Sequence, residues 1–211
     1  MERVQFITHH NETYSYIDSV HLALKGGCRW IQLRMKNSDK EEIEQTAIIV
    51  KNLCKQYGAT FIINDHVDTC IKVNADGVHL GKNDMTIKNA RLILGDTYII
   101  GSTANTFEDV NQAFKDGANY IGCGPLRFTT TKEKLSPTLG LDGYKSIVSS
   151  MKTHNIDIPV FAIGGIVIDD IQPLMDIGLH GIALSSYILN AKNPIETMNK
   201  IINNTNKSTL I

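Results

Sequence analysis

The 211-residue sequence predicts an α/β protein of the (β/α)8 TIM-barrel class, folded as a single compact domain. Three observations carry that expectation. Eight short apolar or β-branched runs alternate with longer amphipathic stretches along the chain. Several amphipathic stretches close on glycine just before the next run, at Gly26-Gly27, Gly58, Gly95, Gly117 and Gly178, as left-handed helix caps do. The segment after the first run, Thr8-His9-His10-Asn11-Glu12, holds no glycine, whereas a doubly wound open sheet would normally carry a glycine-rich phosphate loop there. Alternation of this kind implies a parallel sheet with right-handed crossovers, and this length lies near the lower size limit of the barrel.

The elements follow in order. A first strand is expected over Val4–Thr8 and a second over Trp30–Arg34, leading into Met35-Lys36. Side chains alternate along a strand, so Gln32, Arg34 and Lys36 share one face while Ile31, Leu33 and Met35 share the other. The apolar set belongs under the helices, which aims three long polar groups into the barrel mouth. A helix over Lys40–Tyr57 is marked by Ile43, Ala47, Val50, Leu53 and Cys54 at helical spacing. The third strand, Thr60–Asn64, ends in Asp65-His66, and the fourth, Gly77–Leu80, opens into Gly81-Lys82-Asn83-Asp84. Tyr98–Gly101 is the fifth strand, Glu108–Asp116 a helix, and Tyr120–Gly122 the sixth strand. Pro159–Ile163 and Gly181–Leu184 complete the set. The barrel is expected over residues 1–203, with the polar stretch 204–211 fraying.

Composition narrows the function classes. Hydrophobic residues make up 42% and charged residues 20%, as in a soluble globular protein. A formal net charge of −1 gives no global attraction to nucleic acid or an anionic membrane, so any anion site must be a local cluster. Cys28, Cys54, Cys70 and Cys123 are scattered and form no C-x-x-C pair, which fits reduced thiols better than a disulfide frame or zinc site. The first residues hold no long apolar segment; neither signal peptide nor membrane anchor is expected, and the cytoplasm is the expected compartment. A homo-oligomer is compatible with such a chain.

In a barrel the reacting groups sit at the C-terminal ends of the strands. Asp65 and Asp84 follow neighbouring strands at that end, and two carboxylates beside a phosphate-rich ligand suit Mg2+. The plainer alternative is that each caps the helix that follows it. His66, His79 and the pair His9-His10 lack a zinc-type spacing and are expected to be structural or adjacent to substrate. After the sixth strand the run Gly122-Cys123-Gly124-Pro125-Leu126-Arg127-Phe128-Thr129-Thr130-Thr131-Lys132 brings hydroxyls and a cation to the same rim. Together with Arg34, Lys36 and a metal, these suit a diphosphate better than a monophosphate. A second anion site is suggested by Ala162-Ile163-Gly164-Gly165-Ile166 and Ala183-Leu184-Ser185-Ser186, after the strands where barrels often bind phosphate on backbone N–H groups. A diphosphate in one site and a phosphate-anchored nucleophile in the other imply alkyl transfer with loss of pyrophosphate.

At this point the chain resembles the thiamine-phosphate synthase family. The resemblance rests on Gln32-Leu33-Arg34-Met35-Lys36, Asn64-Asp65, the stretch from Ala75 to Asp84, Thr129 to Lys132, and Ile163-Gly164-Gly165-Ile166, which span nearly the whole chain in the right order. It implies joining of 4-amino-2-methyl-5-hydroxymethylpyrimidine diphosphate to 4-methyl-5-(2-phosphoethyl)thiazole, or its carboxylated form, by a dissociative reaction assisted by Mg2+. By resemblance Gln32 contacts the pyrimidine, and Arg34, Lys36, Asn64, Thr129, Thr131 and Lys132 hold the diphosphate. Arg34, Lys36 and Lys132 are its catalytic cations, Asp65 and Asp84 the metal ligands, and Gly165, Ser185 and Ser186 the thiazole-phosphate contacts. The family often has Ser-Ala-His where Thr103-Ala104-Asn105 stands; Thr103 keeps the hydroxyl and counts as a substrate contact, while the histidine's duty does not carry over. His66 replaces a frequent second aspartate, Met35 a glutamate and Phe128 a proline. The Thr129–Pro137 loop is expected to be mobile when empty and to close over the diphosphate. Alternatives are a thiazole tautomerase of the same fold, whose catalytic histidine falls where Pro125 stands, and a non-catalytic thiazole-phosphate-binding protein.

Overall fold

The computed structural model describes residues 1–128 and 137–207. Along the chain run β1 (Val4–Ile7), α1 (Tyr16–Lys25), β2 (Trp30–Leu33), α2 (Lys40–Tyr57), β3 (Thr60–Asn64) and α3 (Val67–Lys72). Then follow β4 (Gly77–Leu80), α4 (Ile87–Leu94), β5 (Ile99–Ala104), α5 (Phe107–Lys115), β6 (Tyr120–Cys123) and α6 (Gly140–Thr153). The last are β7 (Val160–Ala162), a 3-10 turn (Ile168–Asp170), α7 (Ile171–Ile177), β8 (Gly181–Leu184), α8 (Ser186–Leu189) and α9 (Pro194–Lys207). The strands pair in sequence order, every pair parallel, and β8 returns to β1 to close a barrel.

Local chemistry explains why the elements start and stop where they do. Asp39 accepts the Glu42 N–H to open α2, and Gly58 closes it with φ of 62°, a left-handed cap that costs glycine nothing. Ser15 and Thr106 open α1 and α5 with capping boxes, each answered by an aspartate three residues on. Ile43, Ala47, Val50, Leu53 and Cys54 of α2 are buried, as their spacing requires. So are Ile31, Leu33 and Met35, which join the layer between the sheet and the helices.

A second, smaller cluster fills the inside of the barrel. Trp30, Ile62, Tyr120 and Phe161 pack together, with Trp30 meeting Tyr120 and Phe161 edge-on at 4.8 and 4.7 Å. The floor of the mouth is therefore packed solid, and any ligand is confined to the upper, C-terminal end.

Two ends differ from the sequence expectation by three residues or more, and the others that differ do so by one. β5 continues past Gly101 to Ala104, so Thr103 lies on the strand instead of in the loop after it. At the C-terminus α9 runs to Lys207, taking in the first four residues of the expected frayed tail 204–211. It does so because Thr205 is fully buried, its hydroxyl donating to the Ile201 carbonyl at 2.8 Å. The four cysteines are free and buried in separate places. Burial pushes the Cys28 thiol up to about 11 and those of Cys54, Cys70 and Cys123 to about 12, far from thiolate chemistry at neutral pH. No helix among the described residues is long and apolar enough to cross a membrane.

Candidate active site

The alternation on β2 places its polar set as the sequence reading requires, but at three different depths. Gln32 is 1% exposed and lies inside the barrel, Arg34 is half-buried, and Lys36 reaches the rim. Thr8, at the end of β1, accepts the Arg34 N–H at 2.9 Å and so fixes the strand end from which Arg34 projects. Burial, with the neighbouring charges of His10 and Arg34, lowers the pKa of His9 on the same rim and favours its neutral form.

Asp65 and Asp84 meet as the spacing suggested. Neither caps a helix. The residue that opens α3 is His66, without a side-chain cap bond, and α4 is opened by Thr86, whose hydroxyl oxygen accepts the Asn89 N–H. Asp65 instead adopts a left-handed backbone, φ 66°, which turns its carboxyl away from the helix it precedes. Its own N–H donates to the His79 carbonyl at 2.8 Å. That carboxyl forms an ion pair with Lys36 and faces Asp84, while Asp84 is steadied by the Gly81 N–H at 2.7 Å. Burial first, then the facing Asp84 carboxyl, push Asp65 above the usual carboxylate range, against the pull of Lys36.

Two adjoining carboxylates next to one lysine make a site whose charge is incompletely balanced. A hard divalent cation with water and substrate oxygens would complete it, since Mg2+ takes only one or two carboxylates in phosphate sites. Among the described residues no group of three or more His, Cys, Asp or Glu side chains is placed to hold a metal. The donor set fits Mg2+.

Beneath this rim lies a polar chain that sequence reading missed as a unit. Gln32 Nε2 donates to Gln5 Oε1 at 3.1 Å, and Gln5 Nε2 donates to the Tyr120 hydroxyl oxygen at 3.2 Å. His79 Nδ1 lies 3.0 Å from that oxygen, and its Nε2 lies 3.0 Å from Thr103 Oγ1. Gln32 and Thr103, on different strands, are thus ends of one buried network. The tautomer of His79 sets whether the Thr103 hydroxyl offers its hydrogen or its lone pairs to the mouth. Gly101 makes the network possible, because a Cβ there would come within 2.1 Å of the Tyr120 ring. The one available signal was alternation: Gln5, Gln32 and His79 occupy strand positions that point inward, where polar residues need partners.

Asn64 is buried beside this chain, at the end of β3. Asn105, where the resemblance offers no role, braces the strand ends: its side-chain amide donates to the Gly124 carbonyl, and its N–H donates to Asp109 Oδ2 at 2.8 Å.

Across the mouth, Gly164 and Gly165 both hold positive φ, 87° and 71°. The space their missing Cβ atoms would fill is taken by protein: a Cβ on Gly164 would come within 2.5 Å of Pro125 Cβ, and one on Gly165 within 2.5 Å of Arg127 Cγ. Tight packing of the β6 and β7 loops therefore requires these glycines in its own right, in addition to any approach of a phosphate. Ser185 follows β8 with its Oγ buried and unpaired among the described residues, the state of a hydroxyl able to donate to a ligand acceptor. Ser186 begins the short helix α8. Thr129, Thr131 and Lys132, and with them the expected mobility of the Thr129–Pro137 loop through Ser136, lie outside the described residues.

The chain is similar to known proteins over most of its length. The profile of a family described as thiamine monophosphate synthase matches residues 4–188. A thiamine-phosphate synthase of Phocaeicola vulgatus is 58% identical over 200 residues, covering 95% of this chain and 96% of that one. Another, of Bacteroides fragilis, is 55% identical over 203 residues and is covered over its full length. A solved structure described as thiamine phosphate pyrophosphorylase from Pyrococcus furiosus superposes with a TM-score of 0.86 at 32% identity, covering 98% of this chain and 96% of that one.

Proposed function

The chain belongs to the thiamine monophosphate synthase family, and from that premise we propose that it joins 4-amino-2-methyl-5-hydroxymethylpyrimidine diphosphate to 4-methyl-5-(2-phosphoethyl)thiazole, or its carboxylated form, releasing pyrophosphate. The observation that carries this reading is the pair Asp65–Asp84, released from helix capping and turned toward each other beside Lys36. A barrel needing only a monophosphate site has no use for that arrangement.

Asp65 and Asp84 would hold Mg2+, which would supply charge neutralisation to the diphosphate oxygens. Arg34 and Lys36 reach the same oxygens from the end of β2, Asn64 from the end of β3, and Thr129, Thr131 and Lys132 from the loop after β6. Gln32 orients the pyrimidine from within the barrel and Thr103 contacts the same substrate. Gly165, Ser185 and Ser186 anchor the thiazole phosphate. The bond from the pyrimidine methylene carbon to the diphosphate oxygen breaks first, and its electrons leave with pyrophosphate. The amino group of the pyrimidine donates into the ring as that charge separates, and the thiazole nitrogen then forms the new C–N bond. The cations act on charge that develops in the transition state, so electrostatic stabilisation of the leaving group is the largest contribution. The tautomerase alternative is disfavoured by Pro125, which offers no proton-transferring group at the position where that chemistry needs one.

The test is pyrophosphate release by the purified protein. Release that needs both substrates and Mg2+, and stops with chelator, is the expected result. Absence of release with thiazole phosphate still bound would shift the reading to a tautomerase or a binding protein.

A further inference from the structure

Hydrogen bonds in the buried chain beneath the mouth all run one way. Gln32 sends an amide N–H to Gln5 Oε1 at 3.1 Å, and Gln5 sends one to the Tyr120 oxygen at 3.2 Å. Gln32 acts on that oxygen as a donor too; burial nevertheless pushes the Tyr120 phenol up, so it keeps its proton at neutral pH. A phenol has a single hydrogen to give. Among the described residues the acceptor offered to it is His79 Nδ1, 3.0 Å away. Nδ1 is therefore bare, and the imidazole carries its hydrogen on Nε2. The opposite tautomer and the cation both fail the same count. Each would set an N–H against the phenol oxygen and strand the phenol hydrogen at a residue that is 0% exposed.

The Nε2–H of His79 then donates to Thr103 Oγ1, 3.0 Å away. That bond occupies a lone pair of the threonine and leaves the hydroxyl hydrogen over. Neither ring is free to slip. Gly101 makes room for the Tyr120 ring, and a Cβ on Gly122 would come within 3.0 Å of His79 Cε1. Thr103, near the end of β5, is half-buried, so its remaining hydrogen is open to the mouth while the chain behind it is closed to water.

We propose that Tyr120 and His79 are positioning residues that make Thr103 a fixed hydrogen-bond donor, matched to an acceptor-only oxygen of the diphosphate. The inference deepens the functional reading above, in which Thr103 contacts the pyrimidine diphosphate, and it rests on that reading. An isolated threonine hydroxyl rotates and offers either its hydrogen or its lone pairs. With His79 donating from behind, the hydrogen is the part left for a ligand, and a diphosphate oxygen has only lone pairs to meet it. The amides of Gln5 and Gln32 set the direction, since they fill the phenol oxygen with donors. Turning both amides over would reverse every link and spend the Thr103 hydrogen on His79, leaving the mouth an acceptor that repels the same oxygen.

The experiment has two arms. In the first, two-bond 1H–15N NMR of the unliganded protein reads the His79 tautomer. The Nε2–H form is expected, and the Nδ1–H form would overturn the wiring while leaving the functional reading intact. In the second, magnesium pyrophosphate is titrated calorimetrically into wild type, Thr103→Ser, Thr103→Val, Tyr120→Phe and the Tyr120→Phe/Thr103→Val double variant. Thr103→Val should weaken binding about tenfold, the scale of one hydrogen bond to a charged group, and Thr103→Ser should stay near wild type. Tyr120→Phe alone should weaken binding severalfold, but should cost nothing further once Thr103 is valine, although it still lowers the melting temperature. An equal loss in both backgrounds would reduce Tyr120 to a structural role and overturn the proposal. Wild-type affinity in Thr103→Val would do the same, by giving the hydrogen to solvent. If Tyr120→Phe does not fold, the tautomer and the Thr103 variants decide. A wild type that binds no magnesium pyrophosphate would overturn the functional reading and the assignment of the Thr103 hydrogen with it.

Discussion

Replacing Tyr120 by phenylalanine removes one oxygen from the centre of the barrel and tests whether the buried network under the site exists as described. The ring should stay put, because its edge-on contacts with Trp30 and Phe161, at 4.8 and 5.8 Å, do not involve the hydroxyl. What is lost is the acceptor for Gln5 Nε2 and the partner of His79 Nδ1. Gln5 is 2% exposed and His79 6%, so water does not replace the lost partner cheaply. A lost contact at a buried polar group costs about 1–3 kcal/mol at most, so the two lost contacts together cost roughly 2–6 kcal/mol as an upper range. Gln5 keeps its bond to Gln32, which argues for the lower half of that range, about 3 kcal/mol. For a chain of this size 1 kcal/mol moves the melting temperature by about 2–4 °C, so a drop of roughly 10 °C is expected. Catalysis should suffer as well, since His79 loses the bond that selects its tautomer and Thr103 its fixed hydroxyl direction. A fall of roughly tenfold in kcat/KM for the pyrimidine diphosphate corresponds to about one net hydrogen bond. Urea denaturation and initial-rate kinetics on the same preparation read both effects. A variant within about 0.5 kcal/mol of wild type would count against the network as described.

Three further outcomes follow from the site. Lys132→Ala should lower kcat by roughly a hundredfold, the scale of one lost transition-state donor, and unchanged turnover at saturating substrates would remove Lys132 from the leaving-group machinery. Asp84→Asn keeps an acceptor for the Gly81 N–H but loses the charge, so the Mg2+ needed for half-maximal rate should rise roughly tenfold; an unaltered titration would remove Asp84 from the metal site. The acid limb of stability should depend on Asp109 and Asp170. Burial alone would raise both, yet the bonds from Lys82 and the Asn105 N–H hold Asp109 below the usual carboxylate range, and those from Arg127 and the Val167 N–H do the same for Asp170. A lowered carboxyl pKa contributes stability that is present above about pH 4 and lost as pH falls through the folded value. Urea midpoints measured from pH 6 to pH 2 should therefore fall less steeply in Asp109→Asn than in wild type; an identical slope would show that this pair does not persist in solution.

What was legible in the sequence follows from two periodicities. The two-residue period of β2 separated Gln32, Arg34 and Lys36 from Ile31, Leu33 and Met35, and the second set is buried under the helices. Helical spacing did the same for Ile43, Ala47, Val50, Leu53 and Cys54 of α2. The end of β5 was not legible, because Gly101 reads as a strand terminator when its real task is to make room for the Tyr120 ring, a contact set by the pairing of β5 with β6. The reach of α9 was missed for a similar reason: its last turn is polar by composition, but Thr205 is buried by what packs against it. In each case the missing information was a tertiary contact between residues far apart in the chain.

The same limit shapes what can be said of the site. Asp65 and Asp84 were candidates for either capping or metal binding, and sequence alone could not separate the two uses because an aspartate before a helix suits both. Backbone geometry removes the capping use. A left-handed Asp65 cannot present its carboxyl to the helix behind it, and Thr86 has already taken the cap of α4. Strain at a non-glycine residue persists only where its surroundings hold it, and here Lys36, Asp84 and the His79 carbonyl do so. Gly164 and Gly165 carry the converse lesson. A pair of glycines after a late barrel strand suggests a phosphate, but Pro125 and Arg127 would require them even with no ligand at all. The stronger pointer to an anion on that side is Ser185, whose buried hydroxyl has no bonding partner among the described residues. An unpaired group of that kind is costly unless a ligand repays it, which ties the second site to a chemical requirement where the glycines offer only a pattern.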